Sequence, residues 1–179
     1  MLDFMIIGLP RSGTTWASNL FLTDTVTCHH DPLYKVHYTD WDEKLPIGSG
    51  LKLGISCTGI WRWNEWLNNH PSQKLILHRS HKDILKSMND IGLPPMDLEK
   101  GELSLNSIIG MHVPFEDLFN SEKCCDIWNY LLNDEIPFNY KRHELLRDIE
   151  MQPNFVGLSI GKDVTRKLMI ELSSIGEDE

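Results

Sequence analysis

The sequence predicts an α/β fold, a single three-layer domain in which a central parallel sheet carries helices on both faces. Short apolar runs alternate with segments of helical spacing, which is typical of parallel sheets with helical crossovers. The length of 179 residues suits one hydrophobic core. We therefore expect one domain over residues 1–179, with a core at about 1–132 and a helical C-terminal part at about 133–175.

Each predicted element follows from a local pattern. Apolar runs bounded by turn residues predict strands at residues 2–7, 25–28, 51–56 and 73–78, with an edge strand and turn at 111–118. Apolar residues at helical spacing predict helices at 15–21, 61–69, 80–88, 124–132 and 141–149. Glycines and prolines predict a long loop at 91–104, and the acidic tail at 176–179 is expected to fray.

Composition limits the classes of partner. The net charge of −9 argues against sequence-independent binding to nucleic acid, so an anionic ligand must be held by a local site. The four cysteines lack zinc-ligand spacing and are typical of reduced cytosolic thiols. Without a signal-peptide pattern or a run of about 20 apolar residues, we expect a cytoplasmic protein that does not enter membranes. The oligomeric state is left open.

The first strand leads into Gly8-Leu9-Pro10-Arg11-Ser12-Gly13-Thr14-Thr15, followed by a helix. This spacing predicts a nucleotide-binding fold of the P-loop type, in which backbone N–H groups curve round a phosphate. The ordinary ATP-binding loop needs Lys directly after its second glycine, where this sequence has Thr14. The cation lies inside the loop, as Arg11, which argues against a standard ATPase or GTPase.

The segment Pro10-Arg11-Ser12-Gly13-Thr14-Thr15-Trp16 resembles the 5′-phosphosulfate loop of the sulfotransferase family, P-[KR]-S-G-T-T-W. The stretch 74–87 is similar to the second family signature, because Ser87 follows Arg79 by eight residues. Residues 113–118 resemble the family's Y-E-D-L element. The resemblance covers about 4–132; beyond it, 157–162 is only a distant echo of the C-terminal family loop.

The resemblance implies a donor, 3′-phosphoadenosine 5′-phosphosulfate (PAPS), a product, 3′-phosphoadenosine 5′-phosphate (PAP), and a hydroxyl or amine acceptor. No metal is required, because Arg11 and the loop amides supply positive charge. Trp16 either stacks on the adenine or belongs to the core, and Arg79 either binds the 3′-phosphate or forms a salt bridge with Asp83 or another carboxylate. The expected nucleotide-binding residues are Arg11, Ser12, Gly13, Thr14, Thr15, Trp16, Arg79 and Ser87.

Catalysis is assigned to Arg11, which meets charge on the leaving group, and to a base at His30 or Asp31. These two residues follow the second strand, at the edge where parallel sheets bind ligands. An imidazole suits proton transfer at neutral pH. A metal cluster at residues 28–31 is the alternative, but adjacent strand residues point to opposite faces.

The sequence is compatible with three functions. The first is sulfuryl transfer from PAPS. The second is a P-loop kinase acting on a small molecule or nucleotide, against which Thr14 and the Arg79–Ser87 pair both count. The third is a non-catalytic nucleotide-binding or inhibitory protein on the same fold.

Overall fold

Five parallel strands form the central sheet of the computed structural model, in the order β2-β3-β1-β4-β5. The structure describes residues 1–48, 50–94 and 96–149. The strands are β1 (Phe4–Gly8), β2 (Val26–His30), β3 (Lys52–Cys57), β4 (Gln73–His78) and β5 (Met111–Pro114). The α-helices are α1 (Thr14–Leu20), α2 (Trp41–Lys44), α3 (Asn64–Asn69), α4 (His81–Asp90), α5 (Leu98–Asn106), α6 (Ser121–Leu132) and α7 (Tyr140–Arg147). Short 3-10 helices lie at Pro32–Tyr34, Tyr38–Asp40, Ile60–Trp63 and Phe115–Phe119.

The central strand β1 is apolar throughout because both faces of the sheet are covered. Successive side chains of a strand point to opposite faces. Met5 and Ile7 therefore join a core shared with α2, α3, α4 and α5, whereas Phe4 and Ile6 join a second core shared with α1 and α6. Two buried cores on one sheet make three layers, and the α/β prediction is confirmed.

Most predicted elements lie within a few residues of their observed positions, and β4 has the predicted bounds. The predicted loop at 91–104 is wrong from Leu98 onward, because α5 occupies Leu98–Asn106; the described residues of this segment before Leu98 form no helix or strand. Asp97 caps this helix by accepting a hydrogen bond from the N–H of Lys100, 2.9 Å away. Gly101 lies inside the helix, where a Cβ would be 2.5 Å from Leu9, so this glycine permits close packing and does not end the helix.

The last described helix, α7, is tied to α1. Arg142 donates hydrogen bonds to the carbonyls of Asn19 (2.6 Å) and Leu22 (2.7 Å). His143 is fully buried, with Nε2 2.8 Å from the carbonyl oxygen of Leu118. Part of the sequence beyond residue 132 thus packs on the same face of the sheet as α1.

The remaining sequence predictions for the C-terminal part, including the segment 157–162 and the tail 176–179, lie outside the described residues. Across the three described ranges, no helix combines the length and apolar character needed to cross a bilayer. All four cysteines are free thiols.

Candidate functional site: the carboxyl edge of the sheet

The loop from Gly8 to Gly13 is a tight turn whose shape depends on Ser12. The Ser12 hydroxyl donates a hydrogen bond to the carbonyl of Leu9 at 2.6 Å, and its N–H donates to the same oxygen at 3.1 Å. A Cβ on Gly8 would be 2.2 Å from the Ser12 hydroxyl. Ser12 is fully buried in this turn, where its side chain fixes the shape of the loop.

Two residues of the loop adopt left-handed backbone conformations. Gly13 has φ of 91° and Arg11 has φ of 68°, an angle uncommon for a residue with a side chain. Such conformations persist where the surrounding structure imposes them, often at functional sites. At Gly13 the ring of Phe115 occupies the space of a Cβ, 2.5 Å from its ideal position, so this position requires glycine on two grounds.

Arg11, Arg79 and Ser87 meet at the carboxyl edge of the sheet. Nε of Arg11 donates a hydrogen bond to the Ser87 hydroxyl at 2.9 Å, and Nη1 of Arg79 donates to the backbone carbonyl of Arg11 at 2.6 Å. Burial, and secondarily the charge of Arg79, lower the pKa of Arg11 below its ordinary value. The predicted contacts for the two ends of a nucleotide are therefore neighbours in space.

Arg79 carries a buried donor that the described residues leave unsatisfied. Its Nε is buried and has no hydrogen-bond partner in the described part of the chain. The alternative salt bridge to Asp83 does not form, since Asp83 instead accepts a 2.6 Å hydrogen bond from the Ser80 hydroxyl. The guanidinium lies 4.4 Å from the centre of the Phe115 ring, which supports it from one side. A buried donor of a charged group without a partner is costly, so a bound anion would stabilise it.

A small cleft opens beside Arg79 and Ser87. Its volume is about 180 Å³, which suits a phosphate group better than a whole nucleotide. Lys86 adds a second cation to the wall, whereas Asp83 and Asp90 add carboxylates. The cleft therefore combines groups that attract an anion, Arg79, Ser87 and Lys86, with two carboxylates that repel it.

The first three residues of α1, directly after Gly13, lie in different surroundings. Thr14 is buried, and its carbonyl accepts a 2.8 Å hydrogen bond from the Ser56 hydroxyl on β3. The Thr15 hydroxyl lies 3.2 Å from Nε2 of His30. Trp16 is only 5% exposed, and its indole N–H donates to the carbonyl of Leu146 at 3.1 Å. This placement of Trp16 corresponds to the core interpretation and not to a ring open to an adenine.

His30 and Asp31 lie at the end of β2, close to Thr15. The Asp31 backbone is left-handed, with φ of 45°, and Oδ1 accepts hydrogen bonds from the N–H and the hydroxyl of Thr58 at 2.7 and 3.0 Å. Oδ2 lies 3.5 Å from Nε2 of His30. The His30 side chain is 34% exposed and that of Asp31 only 13%, so the imidazole is the more accessible group.

The neighbours of Asp31 do not form a metal cluster with it. Cys28 is buried, and Nε2 of His29 lies 2.8 Å from the carbonyl oxygen of Pro46. Among the residues that the structure describes, no group of three or more His, Cys, Asp or Glu side chains could hold a metal ion. Adjacent residues of β2 point to opposite faces of the sheet, which keeps these side chains apart.

Two residues of this site were not singled out from the sequence. Thr58 follows β3 directly, so its position after a neighbouring parallel strand was the available signal. Phe115 stands at the aromatic position of the Y-E-D-L-like segment, but its contacts with Gly13 and Arg79 are tertiary.

The sheet order and the helices on both faces define an α/β fold, and this fold is similar to that of a sulfotransferase. One solved structure that it resembles is the crystal structure of a sulfotransferase from Alicyclobacillus acidocaldarius, with a TM-score of 0.53 over 97% of this chain and 92% of that chain. The two sequences are 11% identical, so the likeness concerns the fold alone. No family model and no curated protein matches the sequence.

Proposed function

We propose that this protein transfers a sulfuryl group from PAPS to a hydroxyl or amine of an acceptor molecule. The observation that carries the proposal is the convergence of Arg11, Arg79 and Ser87 at one edge of the sheet. An adenosine 3′,5′-bisphosphate carries two anionic groups on one ribose. Two adjacent guanidinium groups, one of which is hydrogen-bonded to a hydroxyl, are suited to such a ligand.

The residues present fit this nucleotide. The amides of Gly13 and Thr14, together with Arg11, would bind the 5′ end, at the turn where the backbone is left-handed. Arg79 would bind the 3′-phosphate through its buried Nε, which lacks a partner in the described residues. The Ser87 hydroxyl accepts from Arg11 and still has its own proton to donate to a phosphate oxygen.

Sulfuryl transfer requires alignment of donor and acceptor and stabilisation of charge. Negative charge develops on the oxygen that bridges sulfur and phosphorus as PAP departs. Arg11 and the loop amides are suited to stabilise that charge. The acceptor's proton must be taken by a base, and His30 and Asp31 lie next to the Thr15 hydroxyl of the same loop.

Calorimetry with PAP, ADP and ATP, with and without Mg²⁺, tests the nucleotide site. We expect tight binding of PAP that does not depend on Mg²⁺, and weak binding of ADP and ATP. A Mg²⁺-dependent preference for ATP would contradict the proposal and favour a kinase. Tight PAP binding without sulfuryl transfer to any member of a panel of alcohols, phenols and amines would instead favour a non-catalytic nucleotide-binding protein.

A further inference from the structure

The surroundings of His30 distinguish its two ring nitrogens. Nε2 lies 3.2 Å from the Thr15 hydroxyl and 3.5 Å from Oδ2 of Asp31. A carboxylate oxygen only accepts hydrogen bonds, and a hydroxyl can accept as well as donate. A proton on Nε2 can be donated to the hydroxyl oxygen or to the carboxylate. A lone pair on Nε2 would instead face the lone pairs of the carboxylate, which is unfavourable. The geometry thus favours the tautomer that carries its proton on Nε2.

The Asp31 carboxylate is fixed in place by Thr58. Both Thr58 donors, the backbone N–H and the hydroxyl, bind the same oxygen, Oδ1, at 2.7 and 3.0 Å. This leaves Oδ2 directed at His30. The left-handed backbone of Asp31 and its low side-chain exposure of 13% indicate that the surrounding structure imposes this orientation.

We infer that Thr58 and Asp31 are positioning residues that hold His30 as its Nε2–H tautomer, so that Nδ1 of His30 takes the proton of the acceptor. The inference rests on the proposed function. It assigns different roles to His30 and Asp31, whereas the sequence alone does not show which of the two is the base. Asp31 does not remove the proton itself. Its negative charge stabilises the imidazolium that forms on His30.

The proton transfer is part of one balanced step. The acceptor oxygen or nitrogen forms a bond to sulfur while the bond between sulfur and the bridging oxygen breaks. The electron pair of the broken bond remains on the 5′-phosphate of PAP. The acceptor's proton moves to Nδ1 of His30, and the imidazolium later returns it to water.

Tyr34 is a further side chain near Asp31 that could act as a base. Desolvation, followed by the charge of Asp31 and that of Cys57, raises the pKa of Tyr34 to about 12. The phenol therefore keeps its proton at neutral pH, which favours His30 over Tyr34 as the acceptor of a proton.

The substitution Asp31→Asn discriminates this arrangement from a purely structural role. The amide oxygen must face the N–H of Thr58, because that backbone group can only donate. The amide NH₂ then faces His30 and favours a lone pair on Nε2, which places the proton on Nδ1. We expect kcat to fall at least about 100-fold, the scale of losing a correctly protonated base, while the Kd for PAP stays within about twofold.

Thr58 offers a matched pair of variants. Thr58→Val keeps the shape but removes the hydroxyl donor to Asp31, and we expect kcat to fall about tenfold with an unchanged Kd for PAP. Thr58→Ser keeps the hydroxyl and should restore kcat. Equal impairment of the Val and Ser variants would overturn the positioning role of Thr58.

The tautomer itself is measured by two-bond ¹H–¹⁵N correlation NMR at alkaline pH, where imidazoles are neutral, with His30→Gln used to assign the signal. This measurement needs neither nucleotide nor turnover. We expect the Nε2–H form in the wild type and the Nδ1–H form in Asp31→Asn. An Nδ1–H wild type that binds PAP and transfers sulfuryl groups would overturn this inference alone, whereas a wild type that does not bind PAP would overturn the proposed function.

Discussion

Replacement of Arg79 by Met tests the assignment of the 3′-phosphate. Met keeps much of the apolar stem but removes the guanidinium, whose Nε is buried without a partner among the described residues. A charge-assisted hydrogen bond in such a place contributes about 1.5–3 kcal/mol. A loss of about 3 kcal/mol raises a Kd roughly 100-fold. We expect this weakening for PAP and a change of less than about threefold for ADP, which lacks the 3′-phosphate.

The assay is calorimetry with both nucleotides on the wild type, Arg79→Met and a charge-matched control. Lys82→Met removes an exposed cation from α4, the helix that begins two residues after Arg79, and should leave both affinities unchanged. The affinity for ADP also shows whether the loop remains intact, because Arg79 donates a hydrogen bond to the backbone carbonyl of Arg11 in that loop. An equal loss of affinity for PAP and ADP would show that Arg79 supports the loop and does not bind the 3′-phosphate. That result would refute the assignment of Arg79 to the 3′-phosphate.

Three further predictions concern stability and reactivity. Gly13→Ala should lower the free energy of unfolding by about 3 kcal/mol, and Gly92→Ala should lower it by about 1 kcal/mol. Both glycines have positive φ, but only at Gly13 would the added Cβ also collide with Phe115. Equal losses in urea unfolding experiments would contradict this prediction. Arg142→Met should cost about 2 kcal/mol by removing hydrogen bonds to carbonyls at the C-terminal end of α1, and an unchanged thermal midpoint would contradict it. An aromatic disulfide reagent should modify half-buried Cys125 in the native protein and the other three thiols only after unfolding, since burial raises their pKa values.

The fold could be predicted because its main signals are local. The apolar run of β1, with buried residues on both faces, is typical of a central parallel strand. The sequence-based prediction failed at α5, because Gly101 suggests a loop. The glycine is needed for a tertiary contact, since its missing side chain makes room for Leu9. No pattern within residues 91–104 indicates that contact.

The resemblance to the second sulfotransferase signature predicted that Arg79 and Ser87 act together, but not that they contact Arg11. That contact depends on the pairing of β1 with β4, in which Gly8 lies opposite Leu77. Arg79, two residues beyond Leu77, thereby reaches the backbone of the loop. The role of Thr58 depends in the same way on β2 lying next to β3, a neighbour relation that sequence spacing does not encode.

The packing of Thr14 counts against a lysine at this position of the loop. Its side chain is only 2% exposed, and its carbonyl accepts a hydrogen bond from Ser56 on β3, so this residue lies against the sheet. A lysine at that position would have to bury its ammonium or displace β3, which is costly. Arg11 lies instead on the half-buried outer side of the turn, where its Nε reaches Ser87. Its contacts with Ser87 and Arg79, and not the packing of Thr14, hold the loop's cation next to the site proposed for a 3′-phosphate. PAPS carries that phosphate and ATP lacks it, which is why we propose PAPS as the donor.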